Sequence, residues 1–112
     1  MIKVLHVDDE QDWLKILVEQ LADEPQIEVK SLLSLEQMEK ENLKDYSLVI
    51  LDGFWGEGWK KALELIKAGI KAVVVTSGFP SLQWHSEIPY ISKATMVSEK
   101  EKFLKKITAL IQ

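Results

Sequence analysis

Five short runs of apolar, largely β-branched residues recur along the chain, and four of them end at a residue able to do chemistry. Ile2–Val7 stops at Asp8-Asp9-Glu10. Tyr46–Leu51 stops at Asp52. Ala72–Thr76 gives way to Ser77-Gly78. Ile88–Ser92, with Pro89 near its start, stops at Lys93. Runs of this length and composition predict buried strands. The fifth, Ile27–Ser31, alternates Ile27 and Val29 with Glu28 and Lys30, which suits a strand near a sheet edge.

Helical patterns lie between the runs. Trp13, Ile16, Leu17 and Leu21 recur at helical spacing, with Asp9 as an N-cap candidate and Pro25 as the stop. Ser34-Leu35-Glu36-Gln37 has the form of a capping box and opens a short helix with Leu35, Met38 and Leu43 inward. A third helix is predicted from about Trp59 to Ala68, inward on Ala62, Leu63 and Ile66, with Gly69 as its C-terminal stop. Ser98-Glu99-Lys100-Glu101 is a second capping-box pattern, opening a last helix with Phe103, Leu104, Ile107, Leu110 and Ile111 inward. Only Ser81–Glu87 is left between the fourth and fifth strands, so a fourth helix there is short or missing. Strands alternating with helices predict an α/β fold, a parallel sheet covered on both faces.

Composition narrows the function. The 112 residues suit one domain, 1–112, with no repeat or linker. There is no cysteine, which excludes a disulfide framework, a thiolate metal site and cysteine catalysis and fits a reducing cytoplasm. All 14 cationic side chains are lysine and the net charge is −4, which disfavours direct binding of nucleic-acid phosphates. No apolar run has the roughly 20 residues needed to span a bilayer.

In an open parallel sheet, ligands gather at the carboxyl ends of the strands. That edge would collect Asp8, Asp9, Asp52, Thr76, Ser77 and Lys93. Singly, each has a plain explanation: Asp9 caps a helix, Asp52-Gly53 and Ser77-Gly78 make turns, and Lys93 is a solvated charge. Together they imply more. Two carboxylates about 4 Å apart repel by roughly 4 kcal/mol at an effective dielectric near 20, so one is protonated or a cation sits among them. Oxygen donors alone suit Mg²⁺. A lysine and a hydroxyl opposite can hold an anion's oxygens, which together make a site for phosphoryl transfer.

Val4-Leu5-His6-Val7-Asp8-Asp9-Glu10, Leu48-Val49-Ile50-Leu51-Asp52, Val73-Val74-Val75-Thr76-Ser77-Gly78 and Tyr90-Ile91-Ser92-Lys93 resemble the receiver domain of bacterial two-component response regulators. The resemblance implies a flavodoxin-like, doubly wound, five-stranded parallel sheet. It implies that Asp52 is the phosphoacceptor, taking its phosphoryl group from a sensor histidine kinase or phosphotransfer protein. Asp8, Asp9 and Asp52, with the backbone carbonyl of Phe54, would bind Mg²⁺. Ser77 would supply the hydroxyl that engages the phosphoryl group, with Thr76 as the rival, and Lys93 would contact the phosphoryl oxygens. Tyr90 falls at the switch position, or is an ordinary edge-strand aromatic. The domain would be a cytoplasmic signalling switch acting on a downstream protein, and not a turnover enzyme.

Several positions depart from the family pattern. Ala94 stands where proline usually follows the lysine, so Lys93 is expected to be held less rigidly. Gly56 stands where a proline is common. Phe54 stands two residues past Asp52, where the resemblance implies that the side chain borders the path of attacking water. These departures motivate an alternative, a receiver-like interaction module that works without phosphorylation. His6 is expected to be a packed strand residue. Trp13 and Trp59 are expected in the core, and Trp84 and Phe79 over the truncated fourth-helix region.

Overall fold

A computed structural model describes residues 1–70, 72–78 and 88–112. Five strands form one parallel sheet: β1 (Ile2–Val7), β2 (Ile27–Leu32), β3 (Leu48–Asp52), β4 (Val73–Ser77) and β5 (Tyr90–Ser92), in the order β2-β1-β3-β4-β5. The order reverses between β1 and β3, which opens a crevice at their carboxyl ends. The helices are α1 (Gln11–Gln20), α2 (Leu35–Met38), α3 (Glu57–Lys67), α4 (Lys93–Ser98) and α5 (Lys100–Ile111). No helix among the described residues is long and apolar enough to cross a membrane.

The alternation of strand side chains sorts the core into two layers. Val4, Leu48, Ile50, Val74 and Ile91 meet Leu17, Met96, Phe103 and Ile107 on the side of α1, α4 and α5. Leu5, Val7, Val49, Leu51, Val73 and Val75 meet Met38, Trp59, Ala62 and Leu65 on the side of α2 and α3. With both faces covered, the central strands read as unbroken apolar runs. β2 lies at an edge and is partly exposed along its length, as its alternation predicts.

Ser34 caps α2, its Oγ accepting from the Gln37 amide at 3.1 Å. The Gln37 side chain returns to the Leu33 amide at 2.8 Å, one residue beyond the cap. Two other caps differ from expectation. Asp9 does not cap α1: the helix begins at Gln11 behind Glu10, which makes no side-chain cap. The buried face of α1 also includes Leu14. Ser98 does not open α5. It is the last residue of α4, and its Oγ donates to the Ala94 carbonyl at 2.6 Å, so its hydroxyl is already engaged.

α4 itself is an addition to the expected elements. It starts at Lys93, directly at the end of β5, and Ser92 caps it by accepting from the Thr95 amide at 3.1 Å. Ala94 permits this. A proline there would push Lys93 out of the helical region, whereas alanine favours it. Pro89 lies just before β5, where its carbonyl accepts from Val75 at 3.0 Å. The expected short or missing helix over Ser81–Glu87, with Phe79, Trp84 and His85, lies outside the described residues.

Candidate functional site

The carboxyl edge of the sheet brings Asp8, Asp9 and Asp52 together, with one carboxylate oxygen of each within 4.8 Å of the others. Asp8 leaves β1 fully buried; its Oδ1 accepts from the Glu10 amide at 2.9 Å. Asp52 is the last residue of β3, and its Oδ2 accepts from the Phe54 amide at 2.8 Å. Asp9 is exposed and lines a cavity of about 100 Å³ with Asp52, Phe54, Ser77 and Lys93. At roughly 30 Å³ per water, that volume holds about three waters or a small anion.

Lys93 resolves the repulsion expected among the acids. Its Nζ lies 2.7 Å from Asp52 Oδ1 and 3.0 Å from Asp8 Oδ2. The cation expected among the acids is thus the protein's own ammonium. The expectation that Lys93 would be loosely held without a following proline is not met. It is buried, ion-paired twice, and its ammonium lies 4.9 Å from the centre of the Trp13 ring. Burial alone would lower its pKa, but the hydrogen bonds and charges of Asp52 and Asp8 outweigh burial and raise it. Burial drives the Asp8 carboxyl up to about 6, against the opposing pull of the Glu10 amide and Lys93. Among the described residues, Lys93 is the partner of Asp8 Oδ2. Three carboxylates against one ammonium leave the cluster electron-rich.

The loop after Asp52 turns sharply. Phe54 (φ 43°), Trp55 (φ 53°) and Gly56 (φ 105°) are all left-handed. For the two non-glycine residues this costs roughly 1–2 kcal/mol each. The Gly53 carbonyl closes the turn, accepting from Gly56 at 2.8 Å and Gly58 at 2.9 Å. Gly56 therefore serves a conformation that a proline could not take. Gly58 packs directly on the strand: a Cβ there would lie 1.8 Å from the Asp52 carbonyl oxygen. The Phe54 carbonyl, the expected backbone metal ligand, accepts a hydrogen bond from the Glu57 amide.

The two candidate hydroxyls are both strand residues, on opposite faces of β4. Thr76 pairs with Asp52 in register but is fully buried, and its Oγ1 has no hydrogen-bond partner among the described residues. Ser77 lines the cavity. Tyr90 donates its hydroxyl to the Ser77 carbonyl at 3.0 Å, and its ring stacks on Trp59 at 5.8 Å between centroids. His6 lies fully buried in β1, as expected, with neither ring nitrogen hydrogen-bonded to a described group. Desolvation, then the Lys93 charge, lowers its pKa to about 4. Trp13, expected in the core, is half-buried and packs against the core layer on the α1 side, while helical spacing gives no hint of its contact with Lys93.

No protein-family model matches the chain, and no curated protein matches it in sequence. Solved structures do match. The N-terminal domain of a response regulator/sensory box/GGDEF three-domain protein from Carboxydothermus hydrogenoformans superposes with a TM-score of 0.77. It is 18% identical, over 97% of this chain and 93% of that one. Response regulator TrrA from Thermotoga maritima, solved in complex with Mg²⁺-BeF, gives a TM-score of 0.74. It is 25% identical, over 96% of this chain and 99% of that one. The fold is that of a response-regulator receiver domain. A de novo designed Rossmann 2x3 protein also matches, with a TM-score of 0.71 and 16% identity over 95% of this chain and 91% of that one. The sheet order alone therefore does not carry a function. The acidic cluster at the carboxyl edge fits a receiver site.

Proposed function

We propose that this chain is a phosphoacceptor signalling switch, one receiver-like domain over 1–112, in which Asp52 accepts a phosphoryl group. The observation that carries this reading is the placement of Asp52. Its carboxylate faces a small cavity, 2.7 Å from Lys93 Nζ, with Asp8 and Asp9 close enough to share a cation.

The donor set suits a metal. Three carboxylates offer oxygen only, and a single ammonium among them leaves the cluster net negative, which a hard cation would offset. Asp8, Asp9 and Asp52 would hold Mg²⁺, with the second lone pair of the Phe54 carbonyl as a fourth protein donor. Bound there, Mg²⁺ would neutralise charge on the phosphoryl oxygens.

An Asp52 carboxylate oxygen attacks the phosphorus of a phosphohistidine carried by a sensor histidine kinase or phosphotransfer protein. The P–N bond breaks, its electron pair returns to the imidazole, and an acyl phosphate forms on Asp52. Lys93 transfers its ammonium contacts from the carboxylate to the new phosphoryl oxygens, and the Ser77 hydroxyl donates to another. Because Tyr90 is bonded to the Ser77 carbonyl, a shift of Ser77 is felt at the edge strand. The switch then acts by changing what a cytoplasmic protein partner sees, not by turning over a substrate.

Intact mass after incubation with Mg²⁺ and acetyl phosphate tests this reading. One phosphoryl adduct is expected in the parent and none in Asp52→Ala. No adduct under any Mg²⁺ concentration would contradict it and favour a receiver-like interaction module that works without phosphate.

A further inference from the structure

α4 has six residues, too few to hold together as an isolated helix. Its position must come from what it packs against. Lys93 is its first residue, so whatever fixes α4 also fixes the backbone from which its ammonium reaches Asp8 and Asp52.

α1 supplies two of those contacts, one at each end. Near its start, the Trp13 ring lies under the Lys93 ammonium at 4.9 Å. At its last residue, Gln20 Nε2 donates to the Met96 carbonyl at 2.8 Å and the Val97 carbonyl at 3.1 Å. These are carbonyls in the last turn of α4, which a helix leaves without internal partners. Between the two ends Met96 is fully buried in the core layer that it shares with Leu17 of α1.

We propose that Trp13 is a positioning residue for Lys93, with Gln20 securing the far end of the same short helix. The claim rests on the function proposed above but concerns a residue outside the phosphoryl-contacting set. The indole contributes in two ways. Its face attracts the cation, and its bulk keeps water from the ammonium, which strengthens the pairing to both carboxylates. The ammonium then has one narrow range of positions, between Asp52 and the ring. A leucine at position 13 would keep much of the apolar bulk and remove the attraction, whereas phenylalanine would keep a weaker form of it.

The test uses the full chain and the variants W13F, W13L and Q20A. The Lys93 ammonium is followed by its ¹⁵N–¹H signal, identified by its loss in K93M, and its hydrogen exchange with water is measured without phosphate. Exchange is expected to be roughly tenfold faster in W13L, intermediate in W13F, and modestly faster in Q20A. The rate of adduct formation from acetyl phosphate should fall in the same order. A merely structural tryptophan would lower the melting temperature and leave ammonium exchange in the folded protein unchanged. Equal exchange in W13L and the parent, or no difference between W13L and W13F, would overturn the proposal. Absence of an adduct in the parent would instead count against the phosphoacceptor function, and the exchange arm would still decide the role of Trp13.

Discussion

The Tyr90 hydroxyl donates to the main-chain carbonyl of Ser77 at 3.0 Å, tying the edge strand β5 to the wall of the cavity. The same ring stacks on Trp59, which is buried under the loop that follows Asp52. Y90F keeps the stack and removes the hydrogen bond. It should cost about 1 kcal/mol in urea unfolding. A stability equal to the parent's would show that the bond is not made in solution.

Gly58 is required by contact and Gly69 by backbone angle, and the two should differ in cost. Alanine at 58 would put a methyl into the Asp52 carbonyl, which no side-chain movement relieves. G58A is expected to lose at least about 3 kcal/mol and to disturb adduct formation at Asp52. Gly69 (φ 88°) has open space around it, so G69A should lose only about 1 kcal/mol. Comparable losses in the two variants would contradict the close approach of α3 to β3.

His6 and Asp8 should oppose one another as pH changes. The His6 pKa is about 4 when folded against 6.5 for the free side chain, so the unfolded chain binds more protons between these values. Its contribution to stability is lost as pH falls through that window. The Asp8 pKa is about 6 when folded against 3.8, so the folded state holds the extra proton, and stability is lost as pH rises from about 4 to 6. Each effect is roughly 3 kcal/mol by linkage. The two effects oppose each other, so the parent should change less between pH 4 and 6 than a variant lacking either group. H6V should grow more stable as pH falls across this range, and D8N less stable, by denaturant midpoints. Parallel profiles for the two variants would contradict the assignment.

Phe54 lines the cavity two residues beyond Asp52, so under the proposed function its ring would narrow the approach of water to an acyl phosphate. F54N should shorten the life of the adduct by roughly tenfold, followed by loss of the phosphoryl mass after the donor is removed. An unchanged lifetime would show that the ring does not limit water.

The strands were legible because a sheet covered on both faces demands near-continuous apolar runs such as Leu48–Leu51 and Val73–Val75. The site was legible at low resolution for the same reason: Asp8, Asp52, Ser77 and Lys93 interrupt those runs at one edge. What lay hidden depends on groups distant in sequence. Leu14 is not marked by the helical period because Trp13 beside it and nearby Ile16 blur that period. α4 is six residues long, and two of them, Thr95 and Val97, are β-branched, so no period could reveal it. Nothing in the residue types of Phe54 and Trp55 favours the left-handed region. The chain turns there from β3 into α3, which approach closely at Gly58, and only Gly56 and Gly58 hint at the turn. That Lys93 would bridge two acids, rather than stand opposite them, followed from where α4 places its first residue.

Phosphorylation in the presence of Mg²⁺ followed by borohydride reduction and peptide mass mapping locates the acceptor. Hydride reduces an aspartyl phosphate to homoserine and releases phosphate. Homoserine at position 52, with Asp8 and Asp9 intact and no conversion when Mg²⁺ is chelated, is the expected result. Conversion at Asp8 or Asp9, or none at all, would contradict the assignment of Asp52 as phosphoacceptor.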